Sequence, residues 1–324
     1  MSTVEADVEV PDIPVPENND LELTAARNAV VGDLTVRRML PLRLRRSVGA
    51  WCFVDHYGPT DTDGAAGMRV PPHPHIGLQT VTWLLRGNVV HRDSLGSEQL
   101  IRPGQLNLMT SGRGIAHAEE SLTQTTPLTR PRPAAPDPVL HGVQLWVALP
   151  DTSRHGSPAF EHHSTLPQTM LDGFTVTVFM GELAGANSPA TTFSLILGAE
   201  LAARRHASHA VPLNPDFEHV IFVAEGRAEV NDVSLEPGHL LYLPAGRSQS
   251  QVSAAEGTTL FLLGGVPLTE KLLMWWNFVA RTPHEIATAR AAWQAGEFGP
   301  VGGYRGDPLQ APPLDPARLR PPAS

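Results

Sequence analysis

Apolar and β-branched residues come in short runs along most of this chain, and each run closes on glycine, proline or a small polar cluster. Gln79 to Leu85 is one such run, closed by Gly87. Val89 to His91 follows and ends at the turn Asp93-Ser94-Leu95-Gly96. Pro103-Gly104 turns the chain again before Leu106 to Met109, and Val143 to Leu149 is a further run. From Asp151 to about Asp172 the chain reads as a linker, with Pro158 and Pro167. The β-pattern then restarts, with strands predicted at 174–179, 192–197, 220–223, 228–230, 240–243 and 259–263. Short β-rich runs at regular spacing, punctuated by turn residues, predict small barrels or sandwiches. Tyr57 to Met68, rich in Gly and Asp, and the Pro-rich stretch Thr123 to Pro138 read as loops.

The two halves look like a diverged internal repeat: VTWLLRGNVVHRD aligns with VIFVAEGRAEVND, and IRPGQLNLMTSGRG with LEPGHLLYLPAGRS. One helix is expected, near the end. Thr282 is a fit N-cap, Pro283 sits at N1, Glu285 completes a capping box, Ile286, Ala289 and Trp293 form an apolar stripe, and Gly296 is the expected C-cap.

Chemistry concentrates in the first copy, between His73 and Ser121. His73/His75 and His117/Glu119 are pairs of donors two residues apart. Residues i and i+2 of a strand point to the same face, so each pair aims two donors at one point. Two such strands facing one another inside a barrel supply three imidazoles and a carboxylate, a set suited to Fe(II), Mn, Ni, Cu or Zn. With 14 His in 324 residues, chance alone supplies about 0.6 H-x-H pairs, so the weight lies in the β-rich embedding. The second copy carries Leu213-Asn214-Pro215 and Ser248-Gln249-Ser250 where the ligands would stand; His209 and His219 remain nearby but belong to no such pair. One metal per chain is expected. His56 reads as structural, and His91 as lying beside the metal ligands or in the core. The glycine-dense Ser111-Gly112-Arg113-Gly114 could let a loop wrap the metal site. Cys52, the sole cysteine, reads as a buried apolar thiol and excludes an intramolecular disulfide.

The ordered motifs H-P-H-x-G-x-x-T-V-T, H-R-D-S-L-G and M-T-S-G-R-G-I-A-H-A-E resemble those of the pirin family of bicupins. VRRMLPLRLRRSVGAWCFVDHYGP (Val36 to Pro59), HGVQLWVALP (His141 to Pro150) and MWWNFV (Met274 to Val279) extend the resemblance from about Arg27 to about Gly299. It implies an all-β protein of two tandem cupin barrels with a short C-terminal helix. In that family the residues matching His73, His75, His117 and Glu119 bind one metal, usually iron(II). The resemblance also implies that the C-terminal segment packs back on the first barrel. Many members have R-G-F-E after the H-P-H, with the Arg and Glu near the metal; this chain has Ile76-Gly77-Leu78-Gln79.

The expected domains are an acidic disordered tail over 1–24, an N-terminal cupin with the metal site over 25–150, a metal-free cupin over 151–272, and a helix with a loose tail over 273–324. Net charge is −9, but seven acids and no basic residue fall in residues 1–26, which leaves about −2 for the body. Nothing suggests a nucleic-acid surface. The N-terminus has neither the basic nor the apolar region of a signal peptide, and no apolar window is long enough for a membrane span, so a cytoplasmic protein is expected. The Ala/Arg/Pro-rich usage is consistent with a high-GC bacterial genome. The leading functional expectation is a dioxygenase acting with O2 on a small aromatic or enolic, flavonol-like molecule. In that reading Glu119 takes the substrate proton, Trp83, Met109 and the Pro-rich loop wall the pocket, and Gln79, His91 and Arg113 stand around it. The alternative is a metal-dependent regulatory or redox-sensing protein that acts through a protein partner.

Overall fold

The structure, a computed structural model, describes residues 21–31, 34–43, 45–62, 67–123, 126–129 and 137–315. As expected, it is almost entirely β, with two barrels and one helix. The first twelve strands are β1 (Glu22–Ala25), β2 (Arg27–Val31), β3 (Leu34–Leu40), β4 (Trp51–Asp61), β5 (Arg69–His75), β6 (Leu78–Arg86), β7 (Val89–Asp93), β8 (Glu98–Ile101), β9 (Leu106–Thr110), β10 (Ile115–Ser121), β11 (Val139–Ala148) and β12 (Ala159–His163). The N-terminal barrel pairs a seven-stranded sheet, in the order β12-β9-β6-β11-β4-β3-β2, with a four-stranded one, β5-β10-β7-β8.

The C-terminal barrel repeats this plan. Its seven-stranded sheet runs β1, His239–Leu243, Glu218–Glu225, Thr259–Gly265, Ile196–Ala203, Phe174–Met180, Gln168–Leu171. Its four-stranded sheet runs Ala207–Pro212, Gln249–Ala254, Ala228–Val230, Val233–Leu235. The large sheets of the two barrels pack together: Val81, Trp83, Val143 and Leu145 share one apolar cluster with Phe179, Val220, Phe222 and Phe261. Strands such as β6 are therefore buried on both faces, with Val81 and Trp83 against the second barrel and Thr82 toward Glu119.

The first strand and the last hairpin each cross to the opposite barrel. β1 pairs with His239–Leu243 of the C-terminal barrel. After that barrel, the hairpin of Leu273–Trp275 and Phe278–Ala280 returns to the N-terminal one, where Val279 N donates to Ile76 O at 3.1 Å. Helix α1 (Pro283–Gln294) follows, with the expected capping box on Thr282 and Glu285, and buries Ile286 and Ala289.

Several expectations change. Glu22 to Thr24, assigned to the tail, are strand, because β1 completes a sheet edge; residues 1–20 lie outside the described residues. The loop placed at Tyr57 begins only after Asp61, since β4 stays paired with β11. The 151–172 linker contains β12, which extends the N-terminal sheet beside β9, and Gln168–Leu171. The strand predicted at Thr192 begins at Ile196. Helix α1 is capped at Ala295, with Gly296 next at φ +76°. Residues 307–315, part of the segment expected to be loose, are held: Leu309 N donates to Pro72 O at 2.8 Å, and Ala311 is buried; residues 316–324 lie outside the described residues. Cys52 is buried as expected, and burial pushes its thiol up to about 12. No helix among the described residues is long and apolar enough to cross a membrane.

Candidate metal centre

β5 and β10 are antiparallel neighbours, with His73 opposite His117 and His75 opposite Ile115. On its other side β10 pairs with β7, which puts Glu119 opposite His91 and His117 opposite Asp93. The i, i+2 spacing and this register turn His73, His75, His117 and Glu119 into one pocket. All four are buried. The ligand atoms of His73, His75 and His117 lie within 4.8 Å of one another, and so do those of His91, His117 and Glu119. His117 is common to both groups.

Hydrogen bonds fix which nitrogen each imidazole offers. His73 Nδ1 lies 2.8 Å from Pro71 O, and His75 Nδ1 2.9 Å from Asn277 O. A carbonyl only accepts, so both Nδ1 atoms carry the proton and both Nε2 lone pairs are left for an ion. His117 Nδ1 lies 3.4 Å from His91 Nδ1, and His91 Nε2 lies 3.2 Å from the Asp93 carboxylate. With Asp93 accepting from His91 Nε2, His91 Nδ1 accepts from His117, and His117 also presents Nε2. His91 thus orients His117 through its far nitrogen. His75 Nε2 and His117 Nε2 are 3.1 Å apart. Two nitrogens bound at about 2.1 Å and at right angles to one ion stand about 3.0 Å apart.

The electrostatics also suit a cation. Burial pushes His73 down to about 4 and His75 and His117 well below the ordinary imidazole value, so all three are neutral at pH 7. Burial raises the Glu119 carboxyl, opposed by His91 and by the Thr82 hydroxyl, which donates to Oε1 at 2.8 Å. No Arg or Lys among the described residues pairs with Glu119. The neighbouring buried acids do have such partners: Asp55 binds Arg38 through two oxygens at 2.8 and 2.7 Å, and Glu120 binds Arg92 at 2.7 Å. A buried carboxylate without a cation is costly, and a metal would supply one. This His/Glu cluster can bind a metal ion.

Other sequence candidates lie elsewhere. Gln79 turns away from the pocket and donates to Thr110 Oγ1 at 3.0 Å and Thr191 O at 3.1 Å. Ile76 packs in the cluster around Trp276 and Phe278. The positions that differ from R-G-F-E therefore do not line this pocket. Trp83, expected as a wall, sits between the barrels, stacked on Phe179 at 5.1 Å and donating to Glu200 at 2.7 Å. Met109 is buried but not in the pocket wall, and the described part of the Pro-rich loop does not reach it. Arg113 lies at the surface and donates to Ser157 Oγ at 3.0 Å. Its glycine-rich loop packs on residues 156–157 rather than around the His/Glu cluster. A Cβ at Gly112 would stand 2.2 Å from Gly156 O, which is why glycine is needed there.

Sequence reasoning missed the real walls: Phe53, Asp55 and Tyr57 on β4, Gln144 and Trp146 on β11, and Met68 and Val70 before and on β5. Phe53 stacks on Trp146 with centroids 4.1 Å apart. The signal was the same i, i+2 period, in F-x-D-x-Y and Q-x-W.

The pirin family model matches residues 33–147, and a model described as the pirin C-terminal cupin domain matches residues 198–299. Over 306 residues the chain is 43% identical to a Pseudomonas aeruginosa protein named "putative quercetin 2,3-dioxygenase", with 94% of this chain and 93% of that one covered. A pirin-like protein of Caulobacter vibrioides is 34% identical over 280 residues, covering 84% and 92%. A crystal structure titled quercetin 2,3-dioxygenase, from Acinetobacter baumannii, superposes with a TM-score of 0.85 at 39% identity, covering 91% of this chain and 96% of that one. With two barrels of one plan and this extent of similarity, the chain belongs to the pirin family of two-cupin proteins.

Proposed function

We propose that the protein holds one divalent transition metal on His73, His75, His117 and Glu119, and that it is a dioxygenase of flavonol-like enols. Iron(II) is the metal proposed, with Mn, Ni, Cu and Zn as the alternatives that elemental analysis separates. The observation that carries this reading is the convergence of three neutral imidazoles and an otherwise uncompensated carboxylate in one pocket. The names of the Pseudomonas and Acinetobacter relatives support the reaction class. When bound, the metal supplies Lewis acidity to an enol oxygen and a place where substrate and dioxygen meet.

The protein's own groups do the rest. Pro71 and Asn277 carbonyls and the His91–Asp93 pair hold the three imidazoles in one tautomer. Thr82 holds one oxygen of Glu119, and the carboxylate is the group that takes the enol proton. Phe53, Trp146, Val36 and Val70 offer apolar walls to an aromatic ring and keep water out. The test is aerobic incubation of metal-loaded protein with quercetin, following its visible absorbance and oxygen uptake together. Loss of both in wild type and of neither in His117→Ala supports the reading. A wild type inert with every metal above overturns it.

A further inference from the structure

The Tyr57 ring packs among Leu34, Val36, Val70, Leu84 and Leu140, and the residue is 4% exposed. Its hydroxyl is shut off from solvent and has no hydrogen-bond partner. The residue lines the pocket of His73, His75, His117 and Glu119. Across the sheet stands Gly142, where a Cβ would lie 2.9 Å from the phenol oxygen. The small residue clears the place the hydroxyl occupies. Burial, and secondarily the Glu119 carboxylate, holds the proton on Tyr57 well above the ordinary tyrosine range, so the hydroxyl keeps a hydrogen to donate. A buried donor without an acceptor is a standing cost to the fold, and a ligand that brings an acceptor removes it. A phenylalanine would fill the same apolar site without that cost.

We propose that the Tyr57 hydroxyl is a ligand anchor, donating to an oxygen of a hydroxyketone or enol bound in the pocket and selecting for ligands that carry such an acceptor. The inference deepens the reading above and rests on it for the ligand class.

Tyr57→Phe removes one oxygen and keeps the ring. The probes are maltol, a small hydroxyketone, and 1-methylimidazole, whose far nitrogen carries a methyl group and neither donates nor accepts, both titrated without oxygen into metal-loaded protein. The variant is expected to bind maltol about tenfold more weakly, a step of one hydrogen bond. 1-Methylimidazole affinity and metal content should stay at the wild-type level. The metal-free variant should melt no lower than wild type, whereas loss of a purely structural hydroxyl contact would lower it. Equal maltol affinity in the two proteins, an equal loss for both probes, or a wild type that binds no maltol overturns the proposal. A maltol difference in a protein that never consumes quercetin keeps the anchor and discards flavonol oxidation.

Discussion

The two barrels share a seven-plus-four-stranded plan and fill it with opposite chemistry. The N-terminal barrel buries Arg38, Asp55, Thr82, His91, His117 and Glu119. The C-terminal barrel fills its interior with Val211, Ile221, Val223, Val230, Leu243 and Val252. Among the described residues, grouped metal-ligating side chains occur only in the first. The one imidazole left deep in the second, His219, has no partner at either nitrogen. A barrel that encloses a site must find partners for the charges it buries, here Arg38 for Asp55 and Arg92 for Glu120. A barrel without one closes on itself as an ordinary core. The second barrel instead covers the outer face of the first and so gives β6 and β11 their dry side.

Metal content is the sharpest way to break this comparison. Wild type should hold one metal per chain and His73→Ala/His75→Ala none, while His219→Ala keeps one. His91→Ala should retain the ion with affinity lower by about 10–100-fold, the usual effect of losing an orienting partner. Elemental analysis giving two metals in wild type, or about one in the double variant, would refute the division of labour.

Next in size is the charge pair. Arg38→Met strands Asp55 without its cation and should cost about 3–5 kcal/mol. A volume-conserving Leu243→Met in the C-terminal barrel should cost less than about 1.5 kcal/mol. Denaturant midpoints of both variants test this, and equal losses would mean the polar interior carries no special burden.

Acid should act on one barrel first. His56, His73, His75, His117 and His141 of the N-terminal barrel have folded-state pKa values lowered chiefly by burial, His56 to about 3 and His73 and His141 to about 4. In the C-terminal barrel only His219, at about 4, is shifted in the same way. Between these values and the ordinary 6.5 the unfolded chain binds more protons than the native one. Stability is therefore full above pH 6.5 and falls as pH drops toward 4. Hydrogen exchange on metal-free protein should show protection lost in the N-terminal barrel before the C-terminal one; simultaneous loss would count against the contrast.

The smallest effect is a gain. His219→Leu removes an unpartnered buried imidazole and should add about 1 kcal/mol. By calorimetry that is a rise of roughly 2 °C for a chain of this size. A fall would show that His219 has a use in its barrel.

The donor set was legible because strand geometry makes i, i+2 residues share a face. His73/His75 and His117/Glu119 needed only that rule and a β-rich setting, and the missing donors at Asn214 and Gln249 were visible by the same rule. The capping box at Thr282 was equally local. Tertiary structure decided which face of each strand is inside. Alternation separates Thr82 from Trp83 but does not say which meets the pocket. β6 is buried on both sides, because a second barrel covers its back, so the usual rule that the apolar face is the inner one could not mark the pocket side. Trp83 therefore belongs to the interface, and Tyr57, in a loop by its glycine-rich neighbours, belongs to the site. The return of the C-terminal segment was implied only by the family resemblance, and the crossing of β1 was hidden, for a related reason. β1 and the hairpin before α1 find their partners about 215 and 200 residues away, and pairing across that distance is fixed by the packed barrels, not by any local preference of the residues involved.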